Sequence, residues 1–212
     1  MKGLILNNLY SVDKSIKSSS LLTVVAVILL LLTKNPMALR VVAFLPFFLI
    51  PVHAFEILKY DAMSGWNKYE TILPVTRKRI VESKYITFLL LFTFSVLIVF
   101  VIVFTFHIFM FPIVHTIILS YSLRGMGLVL CMAAVLYPLT YKLGTEKSDS
   151  IMIGSVCFSL GIFFSISLIL QMFIGDVEDI DWKFSTIFFI VSTILFGISY
   201  LISINIYKNK EF

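Results

Sequence analysis

The sequence has no glycine followed by lysine, so it lacks the GxxxxGK[ST] loop that cradles nucleotide phosphates. The HExxH pattern of zinc peptidases and the GxSxG turn of serine hydrolases are also missing. The two cysteines and three histidines form no CxxC or cysteine–histidine cluster. These absences exclude a P-loop nucleotide hydrolase, and we expect the chain to carry no catalytic site, metal or cofactor of its own.

Charged residues are scarce as well, at 14% of the 212 positions, whereas hydrophobic residues make up 59%. Soluble domains are typically about 45–50% apolar, and the mean hydropathy of this chain is +1.02. The chain is therefore integral to a membrane, and its length allows about six spans and no sizeable soluble domain. We expect residues 1–212 to form a single transmembrane domain that binds no nucleic acid.

Apolar stretches of bilayer length predict an all-α membrane protein with six transmembrane helices, because a span needs about 20 residues. The predicted spans are Ser19–Thr33, Met37–Leu58, Tyr85–Phe109, Gly125–Tyr141, Ser150–Ile174 and Lys183–Tyr207. The motif Lys34-Asn35-Pro36 predicts a tight turn after the first span. Pro46 and Pro51 predict a kink in the second span.

Two further segments are apolar but are not predicted to span. Phe111–Leu123 is too short, and we expect an interfacial or re-entrant helix on the far side of the membrane. Residues 1–18 are predicted to form an amphipathic interfacial helix, held by apolar contact and anionic lipid. A protein-binding role for that helix is the alternative.

The positive-inside rule gives the orientation. All 17 lysines and arginines except Lys34, Arg40, Arg124 and Lys183 fall on the side that carries both termini and the loop 59–84. That side is predicted to be the cytoplasm, with a short cytoplasmic tail at 208–212. The chain is thus predicted to be a multi-pass protein of the cell membrane.

One pair of ionisable residues lies within a predicted span. His53 and Glu56 are three residues apart, so they can meet on one helical face. Ionisable groups inside membranes are often functional. However, Glu56 is one turn from Lys59, where water is close, so a structural glutamate is equally consistent with the sequence.

The loop 59–84 holds an aromatic, basic element between two apolar spans. Its apolar residues recur at helical spacing, with Ser64 predicted to cap the helix and Pro74 to end it: Met63, Trp66, Tyr69, Ile72 and Leu73. Thr76 is predicted to cap the next helix, which opens with Arg77-Lys78-Arg79.

A positive-inside anchor explains the basic triplet but not the length of this loop. About 25 residues join the spans, although loops of about 2–8 residues usually connect packed helices. A surface helix whose aromatic side chains enter a groove on a soluble partner explains both features.

The chain carries the motifs WNKYE at 66–70, LPVTR at 73–77, Val81 and Lys84-Tyr85, YPLTYKLGTEK at 137–147, and MKGL at 1–4 with Leu9-Tyr10. Together these motifs resemble the bacterial type-2 ABC exporter permeases, over essentially the full chain. Within that family the sequence is similar to the permease subunits that export phenol-soluble modulins, which are amphipathic cytolytic peptides.

The resemblance implies a complex of two permease subunits, identical or paralogous, with two cytosolic ABC ATPase subunits that bind ATP and magnesium. It implies a coupling helix at 61–73, with Trp66 and Tyr69 seated in the ATPase and an amphipathic peptide as the exported substrate. The residues expected to couple to the ATPase are Met63, Trp66, Tyr69, Glu70, Leu73 and Arg77. Gly144, Glu146 and Lys147 belong to a loop expected to contact the ATPase or the neighbouring permease.

Two other classes of protein remain open at this point. A non-transporting membrane scaffold or sensor would recruit a cytosolic partner through the same residues, 60–80. A secondary carrier would carry acidic residues within its spans and two similar halves, and neither is visible in the sequence.

Overall fold

The computed structural model describes residues 1–32, 36–109, 115–174 and 177–209. Within these ranges every regular element is helical, which confirms the all-α prediction. The elements are α1 (Lys2–Ser11), α2 (Asp13–Leu32), α3 (Pro36–Leu49), α4 (His53–Met63), α5 (Trp66–Ile72), α6 (Arg77–Phe109), α7 (His115–Leu143), a 3₁₀ turn (Thr145–Lys147), α8 (Ser148–Ile174) and α9 (Val177–Lys208).

Four segments of the described chain are long and apolar enough to cross a membrane: Arg77–Ile102, Leu119–Leu143, Thr145–Met172 and Trp182–Lys208. They correspond to predicted spans three to six. The first two predicted spans are not among them, and a total of six spans stays a prediction. The turn predicted at Lys34-Asn35-Pro36 lies outside the described residues, except that Pro36 begins α3.

The second predicted span is interrupted rather than merely kinked. Pro46 lies inside α3, but Ile50–Val52 form turns, and α4 begins only at His53. Pro51 has no N–H to continue the α3 hydrogen-bond ladder, while its carbonyl accepts from the Ala54 N–H at 3.0 Å and so starts the next helix. The apolar run is thereby split into two short helices.

The prediction of a separate helix at Phe111–Leu123 is wrong for the residues that the structure describes. Residues 110–114 lie outside the described ranges, and α7 then runs unbroken from His115 to Leu143. Arg124, expected at the end of a segment, is buried: its Nε donates to Ser185 Oγ at 2.9 Å. The guanidinium also lies about 5 Å from the ring centroids of Tyr121 and Phe184. Because Arg124 packs between α7 and α9, it does not mark the end of a helix.

Two local boundaries also differ from prediction. The N-terminal helix breaks at Val12, so residues 13–18 belong to α2 rather than to an interfacial helix. Ser64 ends α4, with its hydroxyl donating to the Tyr60 carbonyl, and does not cap α5. Gly65 precedes α5 instead, at φ 73°, a backbone conformation that glycine adopts without steric penalty.

Helix α7 is the centre of the bundle. In the apolar 18-residue stretch of its spanning segment 72% of residues are buried, against 11% in the corresponding stretch of α8. Tyr137 of α7 packs against Phe55, Tyr85 and Phe88, with ring centroids 4.5–6.1 Å apart. An aromatic core therefore joins α4, α6 and α7.

Helices α7 and α9 pack tightly against each other at Gly127. A Cβ at this glycine would stand 2.6 Å from the ring of Phe188, which is itself fully buried and stacked on Phe184. Only a residue without a side chain fits there.

Gly127→Ala should therefore destabilise the protein by about 1–3 kcal/mol, the usual cost of overpacking a filled core. The thermal unfolding midpoint of the detergent-solubilised protein measures the effect. Gly161→Ala on α8 is the matched control, because nothing lies within 4 Å of its Cβ position and alanine favours the helix. Equal midpoints for the two variants would contradict the close packing of α7 on α9.

Candidate functional site

The α5 surface is an exposed apolar patch formed by the end of α4 and by α5. Four of its side chains are exposed, at 76%, 66%, 79% and 38%: Met63, Tyr69, Ile72 and Leu73. The turn at Gly65 begins α5, and Leu73 adopts an extended conformation before Pro74, which ends it. Apolar side chains at such exposures are typical of surfaces that bind another molecule.

The opposite side of α5 is attached to the bundle through Glu70. Glu70 is predicted from the sequence to bind the partner. In the structure it faces inward and is only 2% exposed. Its Oε1 accepts a hydrogen bond from Trp66 Nε1 at 2.9 Å and lies 3.2 Å from Lys84 Nζ. Trp66 is half-buried, so Trp66 and Glu70 hold α5 in place while Tyr69 points outward.

Lys84 of α6 joins four helices. It forms a close ion pair with Asp61 of α4, bonds to Glu70 of α5, and donates to Asn8 Oδ1 of α1 at 2.7 Å. Asn8 Nδ2 in turn donates to Thr87 Oγ1 at 3.3 Å. We call Asn8, Asp61, Glu70 and Lys84 the Lys84 cluster, and all four side chains are buried.

The cluster holds two carboxylates and one ammonium group. Burial raises the pKa of the Asp61 carboxyl, against the opposing attraction of Lys84. Burial also raises the pKa of Glu70, again opposed by Lys84, while the neighbouring Asp61 charge adds to the rise. The cluster therefore binds a proton more readily than free carboxylates do.

A cavity of about 90 Å³ lies next to the cluster, lined by Asp61, Glu70 and Lys84 on one side and by Gly144 and Thr145 on the other. Gly144 turns the chain at φ 89° between α7 and the 3₁₀ turn. The predicted contact residues Glu146 and Lys147 are exposed on that turn.

The other residues predicted from the sequence lie outside the Lys84 cluster. Arg77 is exposed, and its Nη1 donates to the Lys208 carbonyl at 2.8 Å, which ties the start of α6 to the end of α9. His53 Nδ1 and Glu56 Oε2 meet at 2.8 Å. In the described parts of the chain, no three His, Cys, Asp or Glu side chains come together as metal ligands would.

Comparison with known proteins gives one match. The family model described as "ABC-2 family transporter protein" matches residues 3–208. The chain belongs to the ABC-2 transporter family. No curated protein and no solved structure matches this ABC-2 transporter. Members of the ABC-2 family are membrane components, which agrees with the four apolar helices described above. They are typically not enzymes.

The sequence reasoning missed Lys84 as the centre of this site in the ABC-2 transporter. A lysine beside a span reads as a positive-inside anchor, and Asn8 reads as part of a polar helix face. One signal was available, since Lys84 is spaced four residues from both Ile80 and Phe88, which are buried. A lysine within a buried stripe of a helix requires an anionic partner.

Replacing Lys84 should expose how much the cluster contributes to stability. Lys84→Met would leave two buried carboxylates without their cation, and breaking a buried ion pair in this way costs about 3–5 kcal/mol. The unfolding midpoint should fall accordingly at about pH 7. Lys78→Met on the same helix is the control, because its lysine is half-exposed and pairs with Glu82 at 3.5 Å, a surface pair worth about 0–1 kcal/mol.

The loss in Lys84→Met should shrink at acid pH. A carboxyl whose folded pKa is raised lends stability below its unfolded pKa and loses it as the pH rises through the folded pKa. Without Lys84 the pKa values of Asp61 and Glu70 rise further, so lowering the pH from about 7 to about 5 should restore part of the midpoint. Adding Asp61→Asn and Glu70→Gln should remove this pH dependence. If the unfolding midpoint of Lys84→Met does not depend on pH, Lys84 is not the cation that compensates Asp61 and Glu70.

Proposed function

We propose that the chain is the membrane permease subunit of an ATP-driven exporter and that the α5 surface docks a cytosolic ABC ATPase. Family membership, with the missing phosphate loop, supports placing ATP and magnesium in a separate subunit. The observation that carries the proposal is the two-sided construction of α5. Its outer side offers exposed apolar residues, and its inner side is fixed by Glu70 to the Lys84 cluster.

The same geometry supplies a route for force. When the ATPase closes on ATP it displaces α5, and the Glu70–Lys84 ion pair passes that displacement to α6. Through Lys84 the displacement also reaches Asp61 of α4 and Asn8 of α1. The break at Ile50–Val52 lets α4 change its angle to α3. The end of the bundle that carries α1 and α5 then faces the cytoplasm, in keeping with its lysines and arginines.

An amphipathic peptide, similar to phenol-soluble modulins, is the substrate we propose. A cleft of about 240 Å³ between α4, α7 and α8 supports this choice. Phe55, Leu58 and Met152 make its wall apolar, while an exposed ion pair between Lys59 and Asp149 lies at its mouth, with N–O distances of 2.9 and 3.1 Å. An apolar wall with a charged rim suits an amphipathic molecule better than an ion. A second permease subunit, identical or paralogous, would complete the path.

Tyr69→Ala tests the docking surface. Tyr69 is 66% exposed, so the variant should fold normally but lose an aromatic anchor, which is worth about 2 kcal/mol at an interface. ATPase binding and permease-stimulated ATP hydrolysis should fall by more than about tenfold. Both are measured after co-expression with each ABC ATPase of the same organism in turn.

Tyr10→Ala is the matched control, since Tyr10 is a tyrosine of similar exposure, 76%, on α1 and is not part of the α5 surface. It should bind and stimulate the ATPase as the wild type does. If Tyr69→Ala also behaves as the wild type, α5 is not the docking helix. If Tyr69→Ala abolishes binding but peptide accumulation in cells is the same with and without the protein, the chain is a recruiting scaffold and not an exporter.

A further inference from the structure

An open cavity of about 430 Å³ near the start of α2 gathers several hydrogen-bond donors, and three of them have no partner among the described residues: Lys14, Ser15 and Ser18. Its lining includes Lys14, Ser15, Ser18 and Ser19 of α2 and His53 of α4. The cavity is open on one side, so it can admit a group larger than a water molecule. Leu22 adds an apolar wall on the side that leads along α2 into the membrane.

The lysine in this cavity differs from its neighbour. Lys17 is paired with Asp13 at 2.7 Å. Lys14 has no ion pair or hydrogen bond with any residue that the structure describes. Lys14 is exposed, so its ammonium group can bind an anion, while the nearby carboxylate of Asp13 is already paired with Lys17.

The serines show the same contrast. Ser11, Ser19 and Ser20 each donate to a carbonyl three residues earlier, as serines in helices commonly do. Ser15 and Ser18 make no hydrogen bond with any described residue, although they lie in the same part of the chain. Both line the cavity, so two hydroxyl groups are available to a ligand.

His53 supplies the fourth group. Its Nδ1 is 2.8 Å from Glu56 Oε2, whereas its Nε2 is buried and lacks any partner among the described residues. The ring therefore adds a polar wall to the cavity. An ammonium group from Lys14 and two hydroxyls thus call for an acceptor that carries negative charge.

We propose that this cavity binds the phosphate of an anionic phospholipid. The phosphate accepts from Lys14, Ser15 and Ser18, and the acyl chain runs past Leu22 along α2. A lipid fits better than a soluble anion because α2 continues from the cavity as an apolar helix with exposed leucines and valines. The site would fix the start of α2 and α4 in the headgroup layer of one leaflet.

Native mass spectrometry of the detergent-purified full chain tests the site. Phosphatidylglycerol should be retained in preference to phosphatidylcholine with the same acyl chains. Lys14→Gln should lower the bound fraction of phosphatidylglycerol about fivefold, the factor that corresponds to ~1 kcal/mol per lysine near a membrane surface. Lys17→Gln is the matched control and should leave retention unchanged, because Lys17 is paired outside the cavity.

The double variant Ser15→Ala/Ser18→Ala gives a second reading that keeps the lysine charge, and it should also weaken retention. Three results would overturn the proposal: equal retention of phosphatidylcholine, equal losses in Lys14→Gln and Lys17→Gln, or displacement of the lipid by excess inorganic phosphate. The last result would assign the cavity to a soluble anion. Elution of each variant as the wild type on size exclusion excludes misfolding as the cause.

Discussion

A single buried ammonium group determines how one end of this bundle is arranged. Lys84 lies among Asp61, Glu70 and Asn8, each from a different helix. An ion removed from water without partners costs several kcal/mol, so moving the two carboxylates away from that lysine is unfavourable. Helix α5 depends on it most, because seven residues are too few to form a stable helix alone.

The Lys84 cluster is also continuous with the core. Tyr85 is the next residue along α6, and its hydroxyl is 2.8 Å from both Ser199 Oγ and Ser203 Oγ of α9. Its ring packs on Tyr137 of α7, with centroids 4.5 Å apart. One turn of α6 therefore carries the ion pairs that hold α5 and the aromatic contacts that hold the spanning helices. A displacement of α6 at Lys84 must be shared with α7 and α9, because close-packed interiors transmit strain.

The sequence predicts the long elements well and the polar packing poorly. Spans three, five and six are marked by apolar runs of bilayer length, and the start of α6 at Arg77 follows from Pro74 and Thr76. Arg124 and Lys84 could not be placed in the same way, because a cation near the end of an apolar run has the same local sequence whether it anchors in headgroups or packs between helices. Only the tertiary contacts, with Ser185 and two rings for Arg124 and with two carboxylates for Lys84, distinguish these cases.

The break at Pro51 gives α4 a further role that is not predicted from its sequence. His53 and Asp61 stand near opposite ends of α4, eight residues and about 12 Å apart at 1.5 Å per residue. One end of this short helix therefore contributes to the cavity beside α2, and the other end to the Lys84 cluster. Helix α4 is separated from α3 by the turns at Ile50–Val52, so in the proposed mechanism α4 tilts as a unit about that break. A tilt that moves Asp61 with Lys84 would then also move His53 relative to Lys14, so the two proposals together link occupancy of the cavity to the position of α5 through one helix.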